Sequence, residues 1–515
     1  MRKSLLTLLI VALVLSSFRF SWNDDPWDRS VDKISQMAEI VEKSYFEAAD
    51  RQELIHSSIR GMLLTLDPHS YFLDPQSYAR MREDQSGKYA GLGIQIQKQE
   101  DRLIVIAPIE GTPAWRLGIQ AGDVISHIEG ESTKPLSSFD ALQRLRGERG
   151  TEVTITLVRE SVEEPFDVTI VREEITLYSV PYAFMLDDRT GYVFIRNFAE
   201  TTAREFQEKM RELAGRGMKR LILDLRYNAG GPLYQSLEIS DEFLSRGALI
   251  VSIKGRNVHY NREFRAMRDG QYETMPLVVL INEGSASASE IVAGAVMDND
   301  RGYVVGEESF GKGLVQTVYP LGPNTAIALT TAKYLTPSGR SIQKDYSHLE
   351  DYFLARDNTS GSREVRYTAG GRKVMGQGGI TPDFVVEMTL KPLYLEMRAK
   401  GVFFSYARKF AARQTPLAAS LFPPGTGAGP DKSFRADRRT VEDFRAYLRA
   451  LNFDFAENRF EEASAEILRE LDRELHASFW NVEEGERVYR LTDPAVLKAL
   501  EVMPSKPFLE VGQSR

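Results

Sequence analysis

No cysteine occurs anywhere in the 515-residue chain. That excludes a thiol nucleophile, a disulfide framework, a lipid anchor on an N-terminal cysteine and any cysteine-ligated metal. Histidine is scarce. His56, His69, His127, His259, His348 and His476 complete the set, each in a context that reads as loop or surface. No metal-ligand spacing appears, and no metal or cofactor is expected. Charge of one sign is nowhere concentrated: a formal net charge of −8, without a long basic run, leaves no footprint for a nucleic-acid partner. Long apolar runs are lacking too, except at the start.

That start, "MRKSLLTLLIVALVLSSF", sets Arg2 and Lys3 before an apolar run over residues 5–15. The layout is that of a secretory signal, shorter than the ~20 residues of a relaxed membrane span. Phe18, Arg19 and Phe20 replace a small-residue cleavage site, so an uncleaved anchor is the alternative. Residues 1–22 are therefore read as signal or anchor, with export to the periplasm or cell envelope. Membrane contact is expected only through this segment.

The length suggests roughly three or four domains. Residues 32–66 read as helical, with Ile34, Met37, Ile40 and Val41 at helical spacing, until "LDPHSYFLDP" interrupts with two Asp-Pro steps. A strand-rich texture follows. "GLGIQIQ" and "TEVTITLV" alternate apolar and polar residues, and "GTPAWRLGIQAGDVI" reads as short helix, glycine turn and strand. In "SFDALQRLRG", Phe139, Leu142 and Leu145 are expected on one helix face. Strands and helices then alternate as in an α/β layer fold, with "KRLILDLRYNAGG" and "PLVVLINEGSASASE" as buried-strand signals. The remainder is helical and charged, broken by "FPPGTGAGPDK". The boundaries are an N-terminal helical region at 23–85, a strand-rich domain at 86–175, an α/β core at 176–388 and a helical region at 389–515. In the last, Phe444, Leu448 and Leu451 form a stripe expected to pack onto the core, with a homo-oligomer interface or an adaptor-docking face as alternatives.

The chemistry concentrates in "INEGSASASEIVAGAV", residues 281–296. Ser287 and Glu290 have the spacing of a capping box, which closes a helix start and is by itself the commoner reading. A serine where a strand enters a helix also lies beside unpaired N–H groups and the positive end of the helix dipole, which can hold an oxyanion. Ala286 and Ala288 keep the approach open. No histidine is near to accept the serine proton. Lys312, between Gly311 and Gly313 in "VVGEESFGKGLVQ", is the better candidate, provided burial strips its charge. Gln316 would lie ~13 Å away along a straight strand, or beside the lysine on a helical or bent path.

"GSASASEIVAGAV", "VVGEESFGKGLVQ", "LTTAKYLTPSGRSIQ" and "GGITPD", in that order, resemble the C-terminal processing peptidases, tail-specific serine proteases with a Ser-Lys pair. "LDPHSYFLDP" and "LILDLRYNAGG" match the same family, which spans roughly residues 35–388. The resemblance implies Ser287 as nucleophile, Lys312 as base, Gln316 as the group that orients the lysine, and Asp298 as support in the helix behind the nucleophile. It implies oxyanion donors at the amide of Ala288 and at Gly230 or Gly231. "YAGLGIQI" is similar to the carboxylate-binding loop of PDZ domains, in which the amides around Gly91, Leu92, Gly93 and Ile94 would cradle a terminal carboxylate.

The fold this implies is multidomain α/β: a crotonase/ClpP-like ββα core with an inserted PDZ domain, between helical N- and C-terminal regions. The function implied is an exported serine endopeptidase that grips the C-terminal tails of exported or unfolded proteins. A non-catalytic PDZ scaffold of the cell envelope is the alternative. Retention of Ser287, Lys312 and Gln316 together speaks against it.

Overall fold

The computed structural model describes residues 26–160, 162–347, 352, 363–423 and 429–503. The signal or anchor expected at 1–22 lies outside them. Among the described residues, no helix is long and apolar enough to cross a membrane. The chain divides into two compact units, one of Met1–Tyr78 with Gln316–Thr330, the other of Ala79–Val315 with Thr331–Arg515.

In the first unit, the single helix expected at 32–66 is two: α1 (Pro26–Ser44) and α2 (Arg51–Leu64). Asp50 divides them, because its carboxylate accepts the Gln52 and Glu53 amides and starts a new helix. Val31, Ile34, Met37 and Ile40 of α1 are exposed. The "LDPHS" break is a turn built on Asp67, which accepts the His69 and Ser70 amides and the Ser70 hydroxyl. Asp67 and Ser70 then accept the Thr330 hydroxyl and amide. Strand β1 (Tyr71–Leu73) continues the contact by pairing antiparallel with residues 326–328. The motif that interrupts the helical pattern thus holds a segment from far along the chain.

Helix α3 (Pro75–Ser86) leads into the second unit. Lys88–Gly91 and Glu173–Thr176 pair antiparallel at the neck of the strand-rich domain. Its sheet has the order β2 (Ile94–Gln99), β3 (Arg102–Pro108), β4 (Val124–Ile128), β5 (Glu152–Val158) and β6 (Phe166–Val171). The alternation read from the sequence sends Val153, Ile155 and Leu157 inward against Leu103, Val105 and Ile125. Helix α4 (Ser138–Leu145) turns Ala141 and Leu145 to this core. Phe139, expected on the same face, is half exposed instead, under the Arg80 guanidinium 4.9 Å from its ring centre.

The α/β core is a six-stranded sheet: β7 (Tyr182–Met185), β8 (Thr190–Phe194), β9 (Arg220–Asp224), β10 (Leu277–Ile281), β11 (Tyr303–Gly306) and β12 (Phe384–Val385). Only the first pair is antiparallel. Its central strands read as unbroken apolar runs because both faces are covered. Leu221, Leu223, Leu277, Val279 and Ile281 face α5 (Thr202–Gly215), α6 (Leu233–Asp241) and α7 (Ala288–Asp298). Ile222, Val278 and Leu280 face Val496 and Ala499 of α8 (Pro494–Val502), the last described helix. The other C-terminal helices bury Phe444 and Leu448 in an apolar core of their own, which leaves only Leu451 of the expected stripe half exposed.

Candidate active site

Strand β10 ends at Ile281 and α7 begins at Ala288, so the three serines fall on the turn and first residues of the helix. Ser285 is buried, its hydroxyl donating to Leu225 O at 2.8 Å and accepting the Asn282 amide at 2.9 Å. Ser289 is buried as well, donating to Asn228 O at 2.8 Å. The flanking serines are structural struts, and the middle one, Ser287, is only half-buried. Its backbone stands at φ 54°, ψ −111°. A positive φ with that ψ lies outside the left-handed helical basin, a conformation that costs a residue with a Cβ about 1–3 kcal/mol. Strain of this kind at a strand-to-helix turn holds a serine hydroxyl out from the sheet edge.

Glu290 does more than cap the helix. Fully buried, it accepts the Ser287 amide at 2.8 Å and the Lys312 amide at 2.9 Å on one oxygen. Its other oxygen accepts the Ser309 hydroxyl at 2.6 Å and the Gly311 amide at 2.8 Å. Two amides that share one acceptor at these distances lie within about 6 Å of each other. A carboxylate with four donors is matched as an anion. Burial nonetheless pushes its pKa above the ordinary value, and the donors pull against that shift.

Tyr334 spans the same two segments from the carbonyl side, its hydroxyl lying 2.6 Å from Lys312 O and 3.2 Å from Ser287 O. Burial, then the Glu290 charge, raises its phenol far above the usual range and keeps it a donor. The Gln343 side chain accepts the Gly313 amide at 2.9 Å, and the Lys344 amide donates to Gly311 O at 2.9 Å. The Phe310 amide donates to Ser285 O at 2.9 Å. Every residue from Phe310 to Gly313 is thereby fixed by its backbone. Gly311 is obligatory: φ is +88°, and a Cβ would press on Lys344, Gly379 and Ile342. Lys312 itself is half-buried.

The "NAGG" turn closes the other side. Asn228 O accepts the Ala286 amide at 2.9 Å, and the Asn228 side chain donates to Ile195 O at 2.9 Å. Gly230 sits against the serine turn. A Cβ there would lie 2.8 Å from Ala286 O and 2.9 Å from the Ser287 Cβ, at a φ of +95°. Its amide, however, donates to the Asn228 carboxamide oxygen at 2.9 Å. Gly230 is therefore corrected from oxyanion donor to spacer, which leaves Gly231 and Ala288. The Ala288 amide, first in α7, has no acceptor within the helix.

Asp298 requires a larger correction. It ends α7, about 16 Å from Ser287 at 1.5 Å per residue. There it meets Arg340 at 2.8 Å, both side chains wholly buried, and accepts the Ser338 hydroxyl at 2.6 Å. The pair fastens the "TPSGR" loop to the helix end. Gln316 lies on the extended strand Leu314–Gly322, so the helical path from Lys312 is not taken. Its carboxamide nitrogen is buried, without a hydrogen-bond partner among the described residues.

In the strand-rich domain, Leu92 O accepts the Ala114 amide and Gly93 O accepts the Ile109 amide, which curves the Gly91–Ile94 loop onto the short helix Pro113–Arg116. Gly93 takes φ +77° against Thr112. Arg146 lies over the Tyr89 ring at 4.4 Å and pairs with Glu83 at 2.9 Å.

Sequence reasoning missed Tyr334, Gln343 and Asn228, and read Glu290 only as a cap. No local signal distinguishes them, because each acts on backbone groups distant in sequence. Among the described residues, no group of acidic or histidine side chains could hold a metal ion.

A family model described as peptidase family S41 matches residues 189–348, one for a PDZ domain matches residues 90–170, and one for the activating protease CtpB N-terminal domain matches residues 19–77. A carboxy-terminal-processing protease of Bartonella bacilliformis is 37% identical over 375 residues, spanning 70% of this chain and 86% of that protein. The carboxy-terminal processing protease CtpA of Bacillus subtilis is 34% identical over 318 residues, 62% of this chain and 67% of that protein. The solved photosystem II D1 C-terminal processing protease is 27% identical, covering 71% of this chain and 95% of its own, with a TM-score of 0.38.

Proposed function

Because the chain belongs to peptidase family S41 and is a serine-type C-terminal processing peptidase with a PDZ domain, we propose that Ser287 is its nucleophile and Lys312 its general base. The observation that carries this is the single Glu290 oxygen shared by the Ser287 and Lys312 amides. It supports the pairing by holding the backbones of a strained, half-buried serine and of the lysine within about 6 Å of each other.

The PDZ domain binds C-terminal peptides. The Gly91–Ile94 loop takes the terminal carboxylate of a protein tail, and the chain behind it reaches Ser287. Neutral Lys312 removes the hydroxyl proton, and the oxygen attacks the peptide carbonyl. The amides of Ala288 and Gly231 hold the developing oxyanion. Protonated Lys312 then gives its proton to the leaving amine, and water releases the acyl group. The apolar run at residues 5–15 supports an envelope location, with unfolded exported proteins as substrates.

Purified protein incubated with an unfolded exported protein bearing an apolar C-terminus tests this. Cleavage should vanish in Ser287→Ala and in Lys312→Arg, since arginine keeps its proton at working pH. Cleavage that persists in both variants refutes the Ser-Lys assignment. Tail binding without cleavage by the wild type refutes the hydrolytic reading of these residues and leaves the scaffold.

A further inference from the structure

The C-terminal helical region lies beyond the stretch matched by the peptidase family model, yet it reaches the loop that carries the oxyanion donors. Strand β9 ends at Asp224, and the chain passes through Leu225, Arg226 and Tyr227 to Asn228 and the glycines. Arg226, almost wholly buried, sits in a cluster of charges. On one side it meets Asp224, with nitrogens 2.6 and 3.0 Å from the carboxylate. On the other it makes a two-point pair with Asp493, at 2.8 and 3.1 Å. Asp493 lies 267 positions away and is itself 1% exposed.

Asp493 is also the N-cap of α8, where it accepts the Ala495 and Val496 amides. That helix covers the second face of the core sheet through Val496 and Ala499. A second strand of contacts runs parallel to the first. The Arg490 Nε donates to the Tyr192 hydroxyl at 2.8 Å, and that hydroxyl donates to Asp224 at 2.6 Å. The same carboxylate thus starts a helix of the C-terminal region and clamps the arginine that precedes the oxyanion turn.

Other groups hold the turn as well: the Leu225 amide donates to Leu280 O at 2.9 Å, the Asn228 amide to Leu225 O at 3.2 Å and the Phe198 amide to Gly230 O at 3.0 Å. Tyr227 takes φ +59°, a conformation that persists only when its surroundings impose it. Its amide is held by Asn282 at 2.7 Å. Asn228 then carries the contacts to Gly230, Ala286 and Ser289. Arg226 stands five positions before Gly231, so a shift of the Asp493–Arg226 pair would bear on that amide through this short stretch of chain.

We infer that Asp493 is a positioning residue for peptide-bond cleavage, and that the C-terminal helical region takes part in catalysis by fixing the oxyanion loop through the Asp493–Arg226 pair. The inference rests on the proposed Ser287 and Gly231 roles. Displacements of about 1 Å from productive geometry lower rates by up to 10²-fold, and loss of one oxyanion donor lowers them by about 10²–10³. A loosened loop should lie below both limits.

Asp493→Asn tests it in the full chain, because asparagine caps a helix as well as aspartate does but presents an amide to Arg226. On a fluorogenic tail peptide, kcat should fall about tenfold with KM within about twofold, and the affinity of a peptide aldehyde, which needs the oxyanion site, should fall by the same factor. The PDZ domain's affinity for the tail peptide should be unchanged. Val496→Ala loosens the same helix without touching the pair; it should lower Tm and leave kcat at 25 °C unaltered. Wild-type kcat in Asp493→Asn overturns the inference, as does an equal loss of kcat in Val496→Ala or unchanged aldehyde affinity. Failure of Asp493→Asn to fold also overturns it, since the pair would then be a folding determinant. A Ser287→Ala control that still cleaves the peptide identifies failure of the underlying assignment instead.

Discussion

Glu290→Gln replaces a buried anion by an amide of nearly the same shape, and its effects on stability and on activity should separate. The carboxylate accepts four hydrogen bonds, three from backbone amides and one from the Ser309 hydroxyl. The amide has one acceptor oxygen and one NH2. With the oxygen kept toward Ser287 and Lys312, the NH2 faces Ser309, whose hydroxyl can turn and accept it, and Gly311, whose N–H cannot. One buried N–H is orphaned, at about 1–3 kcal/mol, and the two retained bonds weaken by about 1 kcal/mol each when the acceptor loses its charge. Against this, a buried charge disappears, and the desolvation of an ion is worth several kcal/mol. The net change in stability should be within about 2 kcal/mol, a shift in Tm of a few degrees. Activity has no such offset. Gly311 directly precedes Lys312, so a repelled Gly311 amide moves the base, and kcat should fall about 100-fold with KM little changed.

The assay is kcat and KM on a fluorogenic tail peptide beside thermal melts over a pH series. The sign of the pH effect follows from burial. The Glu290 pKa is raised above its ordinary 4.5 in the folded state, so below neutrality the folded chain binds this proton more tightly than the unfolded chain does. Its contribution to stability therefore grows as pH falls through that window. Wild-type Tm should gain on that of Glu290→Gln as pH falls toward about 5. A Glu290→Gln enzyme with kcat within threefold of wild type would falsify the positioning argument, and a wild-type Tm that loses ground to the variant's in acid would refute the assignment of burial as the dominant effect.

Three other outcomes follow from the same geometry. Gly230→Ala drives a Cβ against Ala286 O and the Ser287 Cβ at a positive φ; kcat should fall at least 100-fold, and retention of more than a tenth of the activity in folded protein would contradict the packing. Asp298→Asn leaves Arg340 buried without its counter-charge and should destabilise by about 3–5 kcal/mol; active-site titration at low temperature should still return a near wild-type kcat, and a specific loss would restore Asp298 to the catalytic set. Tyr334→Phe removes the donor to Lys312 O and Ser287 O; about 1–3 kcal/mol of stability should be lost, read from urea unfolding, together with roughly tenfold in kcat, and no change in either would show the bridge to be idle.

What the sequence determined was what periodicity and local chemistry can express. The unbroken apolar runs of β9 and β10 announced strands covered on both faces. The alternation in "TEVTITLV" announced one face turned to a core. Motif order placed a serine, a lysine and a glutamine in one family pattern. What only the tertiary structure decided was which distant group each side chain meets. The family pattern singled out Ser287 among the three serines, and the folded chain engages the hydroxyls of Ser285 and Ser289 with Leu225 and Asn228. Asp298 looked catalytic because its helix follows the nucleophile, but eleven residues of helix carry it to an ion pair with Arg340. Gly230 and Gly231 were equivalent as letters, and the Asn228 side chain separates them. Glu290 read as a helix cap because capping is local. Its hold on Lys312 depends on a strand crossover that brings β10 and β11 side by side, and no spacing along a single chain records a contact that exists only once two segments are packed together.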